Sequence, residues 1–135
     1  MEGETTAKLE RSKARRPRNA VVAAIFLLLG LGLLVYRGPG WEFMRGAVGD
    51  VLIVGCMYFA SGVVIASWPI VRLASVGSVA VALEFLQLFE VVEPSAPIWI
   101  KLALGTTFDP ADLVAYGVGL TVAWGVECLL AMGDE

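Results

Sequence analysis

Four apolar runs divide the chain, Ala20–Tyr36, Val48–Trp68, Ile70–Phe89 and Pro110–Met132, each close to the roughly 20 residues that a helix needs to cross hydrocarbon. Between them lie short breaks rich in Gly, Pro and charge, and no stretch alternates with the period of two that marks a half-buried strand. The pattern predicts an all-α integral membrane protein, a bundle of four transmembrane helices. It divides into a basic tail over 1–19, a transmembrane domain over 20–132 and a short stretch over 133–135. A fifth apolar piece, Ile98-Trp99-Ile100-Lys101-Leu102-Ala103-Leu104, is too short to span. It reads as an interfacial or re-entrant element before the fourth helix, with Trp99 and Lys101 at head-group depth, or as a connecting loop.

Composition agrees: 135 residues, 58% hydrophobic, with a mean hydropathy of +0.77, too apolar for a soluble domain and too short for several domains. The net charge of -3 hides an asymmetry, since Lys8, Arg11, Lys13, Arg15, Arg16 and Arg18, six of the ten basic residues, precede the first span. The positive-inside rule then puts the tail in the cytoplasm. Four crossings return the C-terminus there, with the first and third loops, including Thr106, outside and the turn at Trp68-Pro69 inside, beside Arg72. A cleaved signal peptide fits less well, because the first run exceeds the roughly 7–15 residues of a signal core and Leu34-Val35-Tyr36-Arg37 lacks the small residues of a cleavage site. The tail's charges suit anionic lipid head groups and give no other support for nucleic-acid binding.

Histidine is absent, which removes Ser-His-Asp and Cys-His catalysis and the usual zinc sites. Cys56 and Cys128 fall within spans without metal-ligand spacing and read as packing residues. Small residues recur at intervals of four in the third span, Ala74, Ser78 and Ala82, and in the fourth, Ala115, Gly119 and Ala123, and predict close helix packing on both stripes.

Chemistry concentrates in a few polar positions. Glu84 and Gln87, three apart, share a face of the third span with Gly77 and Ala80 below them, and a carboxylate inside a span needs a partner or a function. Asp109-Pro110-Ala111-Asp112 is a helix start, with Asp109 as N-cap and both acids at the positive end of the helix dipole. Tyr116 shares the face of Asp112. The second span is read as beginning near Gly49-Asp50, so Asp50 belongs at the same outer end. Antiparallel threading therefore brings Asp50, Glu84, Gln87 and Asp112 together, with Tyr116 as a hydroxyl partner. Such a group of acids in low dielectric calls for proton sharing, for a metal ion held by Glu84 and Asp112, or for pairing with Arg45, Lys101 or a cationic ligand. Arg72 and Glu127, at matching depth toward the other face, are expected to form a structural salt bridge.

The ordered set Gly49-Asp50, Glu84-Phe85-Leu86-Gln87-Leu88 and Leu104 through Gly119, with its Gly-x-x-Phe-x-x-x-Asp-Leu-x-Ala-Tyr-x-x-Gly element, resembles the bacterial membrane family called domain of unknown function 2809, over nearly all the chain after the tail. Glu84-x-x-Gln87 followed by Asp109-x-x-Asp112 and Gly119 is also similar to VanZ-like proteins, some of which are associated with resistance to glycopeptide antibiotics. Those proteins usually carry an Arg where this chain has Thr106 and an Asn where it has Tyr116.

The expectation is a multi-pass bacterial inner-membrane protein with both termini cytoplasmic and an outward-facing acidic polar pocket, an envelope accessory or a binder of lipid head groups. Its partners would be membrane lipids, a head group, a cation or a proton, with no cofactor, and it could form a homo-oligomer. A small proton- or cation-coupled transporter acting as an oligomer is the alternative. An intramembrane head-group enzyme, in which a carboxylate acid and base could work with magnesium or calcium, is the third reading.

Overall fold

The structure, a computed structural model, describes residues 1–65, 68–89, 93–104 and 108–133, without the side chains of Ser12 and of 102–104. Thr106, expected outside the membrane, and the Gly105-Thr106-Thr107 part of the motif lie outside the described residues. Five helices follow one another: α1 (Glu2–Val35), α2 (Trp41–Val64), α3 (Pro69–Leu88), α4 (Ile98–Leu104) and α5 (Pro110–Met132). There is no strand among the described residues. By length and composition α1, α2, α3 and α5 are able to cross a membrane, the make-up of a multi-pass membrane protein.

The boundaries of α5 are those the sequence predicts, and α3 differs by one residue at each end. The first two helices differ more. α1 starts at Glu2 rather than Ala20, because Glu2 and Glu4 complement its N-terminal dipole and side chains one turn apart pair along the tail, Lys8 Nζ to Glu4 Oε1 at 2.7 Å and Lys13 Nζ to Glu10 Oε1 at 3.3 Å. Pro17 is carried inside the helix. At a rise of about 1.5 Å per residue, α1 is about 50 Å long, against a hydrocarbon layer of about 30 Å, so its basic half projects beyond any span. The break after it is confined to a few residues, with Tyr36 extended and Gly40 left-handed at φ 69°, a conformation glycine takes without penalty. α2 therefore resumes at Trp41, not near Gly49, and Asp50 lies more than two turns into it. One π-helical turn, Met44–Val48, sits immediately before Asp50, the kind of local widening that re-aims the side chains after it.

α2 is the centre of the bundle: α1 packs along it, α5 lies against it, and α3 rests on α5 and α2. Its core joins Ala23, Tyr58, Phe59 and Ala123, with Phe26 stacked on Phe59 at 5.8 Å and Tyr58 edge-on to Phe59 at 5.3 Å. The small stripe of α5 is buried as predicted, and at Gly119 a β-carbon would stand 2.9 Å from the Val51 carbonyl oxygen. Hydrogen is the largest substituent that fits there. The stripe expected on α3 is a correction: Ala74, Ser78 and Ala82 are exposed, and the buried line is Arg72, Val76, Ala80 and Glu84. Those four are also spaced by four, and only that line turns the two charges of α3 inward.

In α4, Ile98 and Trp99 are exposed. Lys101 is tied back to the Pro94 carbonyl.

Candidate functional site at the acidic end

The ends of α3 and α5 and the first half of α2 bring four of the sequence-predicted polar residues together. Glu84, 1% exposed, accepts a hydrogen bond from the Tyr116 hydroxyl at 2.8 Å, a bond between α3 and α5. Its other carboxyl oxygen, Oε2, is buried with no partner among the described residues. Asp50 and Asp112 lie close enough for their side chains to act on each other, and two carboxyl groups brought together in low dielectric favour a proton or a cation between them. The charges of Asp50, Glu84 and Asp112 all act on the Tyr116 hydroxyl, and that of Glu84 acts on Asp50. Gln87 stands half-buried one turn beyond Glu84.

Asp109 is exposed and caps α5, its Oδ1 accepting from Ala111 N at 2.9 Å. Its place is the rim. The cations that the sequence offered as partners are elsewhere: the Arg45 guanidinium lies 5.5 Å from the Trp41 ring centre, and Lys101 serves Pro94. Among the described residues no ion pair joins a cation to this cluster, and no three acids or cysteines are arranged to hold a metal ion.

The opposite end of the same helices holds the other predicted pair. Arg72 Nη2 bonds Glu127 Oε1, with the two residues 5% and 4% exposed. The second Glu127 oxygen accepts from Tyr58, whose ring also lies 4.8 Å from the Arg72 guanidinium. Tyr58 gives no sequence signal beyond a single hydroxyl in an apolar span. Asn19, buried at 4%, and Gly62 also belong here, since a β-carbon on Gly62 would stand 2.5 Å from Arg72 Nη1 and 2.6 Å from Asn19 Nδ2. In the sequence Asn19 is the last residue of the tail, directly before the first apolar run. The signal for it was the Arg72 charge, which needs polar neighbours from every helix it faces.

Residues 39–120 match the family described as "Protein of unknown function (DUF2809)". The chain belongs to this family. The matched region runs from the turn before α2 to the middle of α5, so it holds Asp50, Arg72, Glu84, Gln87, Asp109, Asp112 and Tyr116. All of α1 and Glu127 fall outside it, a narrower match than the whole chain after the tail. No curated protein and no solved structure matches.

Proposed function

We propose that this DUF2809 protein is a membrane-embedded binding protein of the bacterial inner membrane, whose acidic end faces outward and takes the ammonium group of a lipid or glycan head group. The observation that carries the reading is the uncompensated acid: a buried Glu84 with one oxygen that has no partner among the described residues, next to Asp50 and Asp112, and no ion pair from a cation among those residues. A buried carboxylate in an apolar setting costs several kcal/mol unless a proton or a positive group joins it. An ammonium ion supplies three donors, enough for Glu84 Oε2 and the Asp50–Asp112 pair. Glu84 and Asp112 sit near the ends of α3 and α5, toward a head group, and below them the bundle is closed by Val54, Tyr58, Phe59, Ala80 and Ala123. That closed middle favours binding at one face over passage through the bundle.

The test uses the full chain in nanodiscs of mixed phosphatidylethanolamine and phosphatidylglycerol, with retained lipid identified by native mass spectrometry. Phosphatidylethanolamine should be retained preferentially, and Glu84→Gln or Asp112→Asn should abolish the preference. Equal retention of both lipids by the unaltered protein defeats the reading. If the same carboxyls exchange protons with a transported cation instead, cation uptake into protein-loaded liposomes will depend on Glu84.

A further inference from the structure

A cavity with a polar floor lies at the other end of the molecule. It is an open cleft of about 490 Å³ between the projecting half of α1 and the turn joining α2 to α3, within the roughly 300–1,000 Å³ of small-molecule sites. Its floor is buried and polar: Asn19, Gly62, Arg72 and Glu127. Its rim carries Lys8, Arg11 and Arg15, of which the first two are exposed and the third is half-buried. Lys8 Nζ stands 4.8 Å from the centre of the Trp68 ring, which closes the cleft from the turn side. Four cations thus face a single carboxylate.

The floor shows unspent donors. Glu127 engages only Nη2 of Arg72, and the Arg72 Nε and Nη1 groups are buried with no partner among the described residues, as is Asn19 Oδ1. A buried N–H left unbonded costs about 1–3 kcal/mol, and Nη1 is held against Gly62 where a side chain would have displaced it. Lysine and arginine at the rim supply long-range attraction for an anion, whereas a buried guanidinium supplies directed donors. The two together are what an oxyanion requires.

We infer that this cleft binds a phosphate ester or free phosphate, with Arg72 donating at the floor and Arg11 and Arg15 closing over the anion from α1. The site is distinct from the acidic end and does not depend on what binds there. Because the basic half of α1 lies beyond the apolar run, the cleft opens at head-group depth, where a phospholipid presents its phosphate.

The experiment follows the thermal unfolding midpoint of the full chain in dodecyl maltoside while short-chain phosphatidylglycerol, diacylglycerol of the same chain length, or sodium phosphate is added. A saturable rise with phosphatidylglycerol and none with diacylglycerol supports a lipid phosphate. A saturable rise with sodium phosphate alone supports the free anion. In either case Arg11→Gln combined with Arg15→Gln should weaken the apparent affinity at least about tenfold, because each surface cation contributes near a phosphate, whereas Lys13→Gln, outside the cleft, should leave it unchanged. Arg11 is exposed and Arg15 half-buried on α1, so both variants should keep the unfolding midpoint of the unaltered protein in the absence of phosphate. No saturable rise with either phosphate compound, an equal rise with diacylglycerol, or the same loss of affinity in the Lys13 variant overturns the site.

Discussion

Both ends of this bundle bury carboxylates, but they treat them differently. At the basic end Glu127 has one oxygen on Arg72 and the other on Tyr58. At the acidic end Glu84 has one oxygen on Tyr116 and, among the described residues, no partner on the other, and its neighbours are two more acids. α2, α3 and α5 supply the carboxylates and tyrosines of both ends, and α1 adds Asn19 and its cations only at the basic end, so the difference lies in the side chains that surround each acid. A compensated charge holds helices together, while an uncompensated one keeps a place for a proton or a positive ligand.

The largest effect expected from breaking this contrast is at the compensated end. Arg72→Gln leaves Glu127 buried with only Tyr58, and removing one member of a buried ion pair costs about 3–5 kcal/mol. Equilibrium unfolding in mixed dodecyl sulfate and dodecyl maltoside micelles should show that loss, and adding Glu127→Gln should restore part of it. Fully additive losses in the double-mutant cycle would mean that the pair is not coupled.

A smaller loss is expected where the two ends share their scaffold. Gly119 lies between Asp112 and Glu127 on α5, and Gly119→Val drives methyl groups into the Val51 backbone. Overpacking of this kind costs about 1–3 kcal/mol. It should weaken both ends together in the same unfolding titration. A loss that appears at neither end would show that the α2–α5 contact is not what sets their spacing.

Much of the architecture was legible in the apolar runs because hydrocarbon selects helix length directly. The inward face of α3 was less so. In a soluble helix, apolar side chains mark the buried side, but in a membrane both sides are apolar, and Ala74, Ser78 and Ala82 follow the same spacing as the line that is in fact buried. The residues that decide are the polar ones. Arg72 and Glu84, the two ends of the buried line that runs through Val76 and Ala80, define the inner side, and antiparallel threading puts Glu84 at the end of the bundle where Asp112 and Asp50 stand. The helical tail was hidden for another reason: it is stabilised by charge pairs along α1 rather than by burial, so a hydropathy pattern stops at Ala20. Asn19 and Tyr58 were missed because the polar neighbours of Arg72 and Glu127 come from other helices and leave no local pattern.

At the acidic end, Tyr116→Phe removes the hydrogen bond between α3 and α5 while keeping the ring in place. The expected cost is about 1 kcal/mol, the usual net value of one hydrogen bond. Tyr58→Phe should cost at least as much, because it strips a hydroxyl from the carboxylate that Arg72 anchors. If the Tyr116 variant were the more damaging of the two, Glu84 would rank as the structural carboxylate and the contrast between the ends would be reversed.

The smallest stability effect is expected for Glu84→Gln, and its small size is the sharpest evidence the comparison can receive. The amide keeps an acceptor for the Tyr116 hydroxyl and nearly the same shape, and it removes a buried acid that no cation among the described residues balances. Losing an uncompensated charge should therefore leave folding stability within about 1 kcal/mol of the unaltered protein, or raise it. Asp112→Asn should behave alike, since it relieves the contact with Asp50. The micelle titration measures both, and the head-group assay measures what is lost instead. A cost for Glu84→Gln close to the 3–5 kcal/mol expected of Arg72→Gln would mean that Glu84 is held by a compensating partner, and the acidic end would then be a second structural lock rather than a binding site.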